Sequence, residues 1–374
     1  VARTRSAGTI SIISRPQIFD TFEPTSMSDW NSFLAERGAR QTIDGALVDG
    51  FIGRAPDTAQ ASVLCDLPGL DLLAFSGEDA RTFLQGQLTC DVREATEVRS
   101  RRGALCTPKG RVLATFRLWA QDDGYRMALP RALAEPIRKR LGMYVLRSRV
   151  RITPLQDIVR FGVAGPNARP ALARALDVPA ADLPARDGVL SRPDTCVIGL
   201  PGERYLVCSE PARAIQLWSA LAVELLESGQ SAWAWRSLAA GDADVLPATQ
   251  DQFVPQMLNL DLSGGIGFAK GCYTGQEIVA RTQHLGRLKQ RLYRCGLTPG
   301  RPPAAGTALY SGDFQGQASG MVLDAASRPD GTRVVLAVLR VDTVAAGITV
   351  HCAYPDGEPL QSPRQVDVDL PDGH

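Results

Sequence analysis

The chain has 374 residues, 44% hydrophobic and 22% charged, enough for two or three domains with proper cores and too apolar for disorder to be its main state. No stretch approaches the ~18–20 uncharged apolar residues a spanning helix needs, which argues against a membrane protein. With 41 basic against 40 acidic side chains and a net charge of +1, there is no global field for nucleic acid or an anionic membrane, so no direct stable nucleic-acid binding is expected.

Residues 1–26 contain Arg3, Arg5 and Arg15 and no acid before Asp20. They faintly resemble a presequence and are expected to be poorly ordered. The first amphipathic segment opens at Met27. From residue 70 the periodicity predicts a strand over 70–75, a capping box at Ser76-x-x-Asp79, and a helix with Ala80, Phe83, Leu84 and Leu88 on one face. Strands follow over 112–118 and 125–129, a helix over 131–143, and a strand over 145–152 that sets Arg147, Arg149 and Arg151 on one face.

The same order recurs downstream: a strand over 158–164, a helix over 167–176, strands over 195–200 and 205–209, and a helix over 212–227. The expected class is therefore α+β, with two ferredoxin-like split β-α-β units. Beyond Arg291, Gly and Pro punctuate short strands, as in a small antiparallel barrel. The domains expected are 27–155, completed by 235–290; 156–234; and a barrel over 291–365.

The eight cysteines (Cys65, Cys90, Cys106, Cys196, Cys208, Cys272, Cys295 and Cys352) never form a C-x-x-C pair, and there are three histidines. No resident metal is expected. Scattered thiols without a signal peptide suggest a reducing, cytoplasmic setting. The chemistry concentrates in Lys270-Gly-Cys-Tyr-Thr-Gly-Gln-Glu277. Thr274-x-x-Glu277 fits a capping box, so Cys272 is expected just before a helix N-terminus and beside Lys270, where a thiolate is favoured. The residues alone leave open a nucleophile, a redox centre, a metal ligand or a small buried cysteine. Nucleotide-binding glycine spacings are absent.

The run Lys270 to Glu277 resembles the K-G-C-[FY]-x-G-Q-E signature of the folate-binding YgfZ family, whose eukaryotic relatives are mitochondrial iron–sulfur assembly factors. Support comes from Gly86-Gln-Leu-Thr-Cys-Asp-Val92, Lys109-Gly-Arg111, Gly162-Val-Ala-Gly-Pro166, Phe253-Val-Pro-Gln256, and Ala280-Arg281 with Gly286 and Lys289. The resemblance implies the fold of the glycine cleavage aminomethyltransferase, three domains around a central tetrahydrofolate pocket. It also implies a role in assembling or repairing iron–sulfur clusters in client enzymes, including tRNA-modifying ones. The alternatives are a tetrahydrofolate-dependent aminomethyltransferase, or a scaffold holding a cluster transiently through Cys272.

Carried over, Cys272 is the essential thiol with Lys270 beside it, and Gly271, Tyr273, Gly275, Gln276, Glu277 and Arg281 are its support. Asp91 and Lys109 would line the pocket, and Trp233 or Trp235 would meet the pterin. Arg147, Arg149 and Arg151 would take the carboxylates of a folate tail. Where relatives often carry a carboxylate on the pterin, this chain has Ala239.

Overall fold

The computed structural model describes residues 26–42, 48–285 and 288–366. The leader up to residue 25 lies outside the described residues, as does Gly286. The elements form a mixed α+β architecture with three large sheets and a short two-stranded one.

The first sheet runs Arg101–Cys106, Val112–Gln121, Gly124–Pro130, Leu70–Ser76, Arg151–Pro154, every neighbouring pair antiparallel. Period-two alternation turns Ala114, Phe116 and Leu118 to one face, where Phe83 and Leu84 of helix Ala80–Gln85 and Leu133, Ile137 and Leu141 of helix Arg131–Val145 cover them. No Ser76 cap forms. Asp79 instead accepts from the Arg149 backbone N–H (2.8 Å).

The expected strand over 145–152 is corrected. The helix runs on to Val145, and Leu146 reverses the chain at φ 44° and ψ −105°. Only Arg151–Pro154 joins the sheet, against Leu70–Ser76. Alternation had matched a strand pattern, but residues 146–150 have no neighbouring strand to pair with.

The second sheet runs Val189–Arg192, Thr195–Leu200, Arg204–Ser209, Val159–Ala164, Val63–Asp66, Leu226–Ser228, with only the last pair parallel. Strand Val63–Asp66, upstream of the entire first sheet, thus takes the place beside Val159–Ala164. Helix Met27–Glu36 lies on the same sheet with helices Ala168–Leu176 and Pro211–Leu221. Within the span 27–155, strand Val63–Asp66 thus belongs to the second sheet and Leu70–Ser76 to the first, while Ala39–Gln41 and Val48–Phe51 pair as a small sheet of their own. Trp30 is 1% exposed and meets Trp218 edge-on at 5.3 Å, and burying each such ring stabilises by ~2–3 kcal/mol. The expected helix over 212–227 ends at Leu221, because Leu226–Ser228 pairs with Val63–Cys65 and buries Glu227 against Trp218 Nε1 (2.7 Å).

The third sheet is antiparallel, in the order Val350–Cys352, Ala308–Ser311, Ala318–Ser327, Arg333–Arg340, Gln290–Leu297, Gln361–Gln365. Its two edges belong to one hairpin and meet at a single bridge, His351 to Pro359, so the sheet curls without a closing ladder. Helix Gln230–Ala239 and the segment from Val245 to Val279 fill the space between the first and third sheets. No helix among the described residues is long and apolar enough to cross a membrane.

Candidate functional site

Two segments 180 residues apart in sequence build the platform under Cys272. Thr89 Oγ1 donates to the Gly265 carbonyl (2.7 Å), the Gly267 N–H donates to the Thr89 carbonyl (2.8 Å), and the Thr274 N–H donates to the Gly86 carbonyl (3.3 Å). Lys270, 3% exposed, drives its ammonium into this seam, donating to the carbonyls of Leu88 (2.5 Å) and Cys90 (2.8 Å) and sitting 4.9 Å from the Tyr273 ring centre. Burial pulls that ammonium down to about 8. Lys270 therefore pins the loop and does not face Cys272.

Gly275, at φ 85°, presses on the hairpin tip that carries Lys109: a Cβ there would stand 2.5 Å from the Thr107 carbonyl oxygen. The helix begins at Gln276, whose Oε1 accepts from the Tyr273 N–H (3.2 Å). Gln276, and not the expected Thr274 and Glu277 pair, makes the reciprocal contact. Cys272 precedes the helix, as expected, by four residues. Cys272 is exposed and the other seven cysteines are buried. Burial pushes the thiols of Cys90, Cys106, Cys196 and Cys295 up to about 12, and those of Cys65, Cys208 and Cys352 in the same direction. Gly271, Glu277, Arg281 and Lys109 are exposed as well.

Asp91 borders this platform and not the central cavity. Its carboxylate accepts from Arg93 Nη2 (2.6 Å) and Gln85 Nε2 (3.0 Å), and the Arg93 hydrogen bonds hold it well below the usual carboxylate range. Arg147, Arg149 and Arg151 are exposed at the outer edge of the first sheet, where Arg149 pairs with Glu78. They line neither the central cavity nor the cleft beside it.

The central cavity, about 210 Å³, lies where all three sheets converge. Trp233 forms one wall and Trp235 does not. The helix turns Trp235 away, where its Nε1 donates to Asp57 (2.9 Å) and Arg236 lies 4.3 Å over its ring. Trp233 packs against Gly162, where a Cβ would come within 2.3 Å of the indole, and the Arg204 guanidinium lies 5.0 Å from its ring centre.

Sequence reasoning missed the cavity's charged residues. Asp242 accepts from Arg102 Nη1 (2.6 Å) and Arg204 Nη2 (2.7 Å). Burial alone would raise its carboxyl, but these guanidiniums and Arg117 carry it well below the usual range. Asp244 accepts from Thr115 Oγ1 (2.8 Å). Thr115 and Arg117, alternating with the core residues of their strand, are 1% and 6% exposed, because their face turns towards the cavity and the cleft beside it. The signal was the pair Asp242 and Asp244, two carboxylates just past a helix.

Gln230 Oε1, on the cavity wall, is buried without a partner among the described residues, so the wall offers an indole and an unmet acceptor. A cleft of about 50 Å³ shares Arg102, Arg117 and Asp242 with the cavity and extends to Ser263, at the root of the motif loop. Ala239 is partly buried beside the apolar residues between the first and third sheets.

These sheets define an aminomethyltransferase-like fold. The chain matches the crystal structure of glycine cleavage system aminomethyltransferase T from Bartonella henselae at a TM-score of 0.71, over 88% of this chain and 95% of that one, with 19% identity. The chain belongs to the YgfZ family. It is 34% identical over 299 residues, 78% of this chain and 90% of the relative, to tRNA-modifying protein YgfZ of Shigella dysenteriae serotype 1 (strain Sd197). It is 35% identical over the same shares to the protein of that name from Escherichia coli O45:K1 (strain S88 / ExPEC). No family model matches the chain.

Proposed function

We propose that this protein binds a reduced folate in the central cavity and uses Cys272 to support the assembly or repair of iron–sulfur clusters in client enzymes, tRNA-modifying enzymes among them. The observation that carries the reading is one exposed thiol, on a loop pinned by Lys270, in a chain whose central cavity is walled by Trp233. A pterin is a flat ring with amide-like edges. Trp233 supplies a surface for its face, and Gln230 supplies an unmet acceptor for its N–H groups. The aminomethyltransferase-like fold and family membership support three domains around this pocket as the arrangement.

Among the described residues no group of three or more His, Cys, Asp or Glu side chains is placed to hold a metal. A cluster held through Cys272 would take its remaining ligands from a client, and the exposure of the thiol favours that scaffold reading. The aminomethyltransferase reading stays second: Asp91 is occupied by Arg93 and Gln85 away from the cavity, and the acid it needs would have to come from the cavity's own carboxylates, Asp242, Asp244 and Asp324. The test is the activity of an iron–sulfur client enzyme in cells lacking the protein and complemented by wild type or Cys272→Ala. Restoration by wild type alone is expected, and full restoration by Cys272→Ala overturns the role of the thiol.

A further inference from the structure

Strand Ala318–Ser327 contains a break in its own alternation. Met321 pairs with Val338, Val322 with Ala337, and Asp324 with Leu336, so Leu323 is one residue too many. Strict period two would send Leu323 towards the first sheet and Asp324 to the face of Val322, into the apolar interior of the third sheet. The bulge instead leaves Leu323 among the residues packed against the first sheet and places Asp324 on the wall of the central cavity. Bulges of this kind re-aim a side chain.

The carboxylates around Asp324 are engaged: Asp242 by Arg102 and Arg204, Asp244 by Thr115 and Arg102. Asp324 Oδ1 accepts from the Ala325 N–H (2.8 Å). Its other oxygen has no partner among the described residues.

We propose that Asp324 is the specificity residue of the cavity, its free carboxylate oxygen accepting from the 2-amino and ring N–H edge of the pterin. The assignment rests on the folate reading and deepens it. A carboxylate aimed into a partly desolvated cavity selects a ligand edge made of adjacent N–H donors, and hydrogen bonds to a charged acceptor exceed neutral ones. Burial pushes the Asp324 carboxyl up to about 6, with the Asp244 carboxylate opposing its ionisation as well. The other charged groups lining the cavity are Asp242, Arg102, Arg117 and Arg204. Because the donors bind the ionised form, affinity rises between pH 5 and pH 7.5.

The experiment is isothermal titration of the full chain with tetrahydrofolate and with its 2-desamino analogue, for wild type and Asp324→Asn, at both pH values, with thermal melting as a control on folding. Wild type is expected to bind tetrahydrofolate at least about tenfold tighter than the analogue. Asp324→Asn is expected to lose most of that preference and of the pH dependence. Wild type that binds both ligands equally, or an Asn variant that melts normally and keeps the preference, overturns the assignment and leaves the folate reading standing. No binding to wild type overturns the folate reading itself.

Discussion

Cys272 differs from its seven counterparts in access before anything else: it is exposed, while each of the others is buried with its thiol pushed up by desolvation. Iodoacetamide at neutral pH should therefore modify Cys272 at least about tenfold faster than any other cysteine in the folded chain, as peptide mass spectrometry would show. Cys272→Ser should leave the melting temperature nearly unchanged, because an exposed side chain contributes little to packing. Lys270 gives the opposite expectation. Replacing it with methionine leaves the Leu88 and Cys90 carbonyls without their buried donor, a loss of roughly 2–4 kcal/mol in urea unfolding. A loss below about 0.5 kcal/mol would mean that the ammonium does not hold the two motifs together. The motif's importance was legible in its residues; the inward turn of Lys270 was not, because its partners lie some 180 positions upstream.

Among the elements, periodicity located the helices over 80–85 and 131–145 and most strands, since each buries one face against a sheet. It misread residues 145–150 because alternation is necessary for a strand and not sufficient: a partner edge must also be present. Leu146 now occupies a backbone region that disfavours a branched side chain, at φ 44°, with 87% of its surface exposed. Leu146→Gly should raise stability by about 1 kcal/mol, having no packing to lose. Thermal or chemical denaturation that finds the glycine variant less stable would show that this turn is held by something other than local geometry. Gly162 carries the reverse lesson. Its strand looked ordinary, and only the approach of the Trp233 indole explains why no side chain fits there.

At the scale of the whole molecule, the duplicated order of strands and helices announced two similar units, but the exchange of Val63–Asp66 into the second sheet could not be read from local pattern. Pairing with Val159–Ala164 spans nearly a hundred residues and carries no spacing signature. The cavity was hidden for the same reason: its wall is shared by three sheets, so Arg102, Arg117, Arg204 and Asp324 each looked unremarkable in isolation. If this junction holds a folate against Trp233, as proposed, the indole itself reports the binding. The most direct measurement is tryptophan emission during titration with tetrahydrofolate, in wild type, Trp233→Phe and Trp235→Phe. Saturable quenching in wild type and Trp235→Phe that is mostly lost in Trp233→Phe is the predicted result, and quenching that survives equally in Trp233→Phe, or is absent from all three, would contradict it.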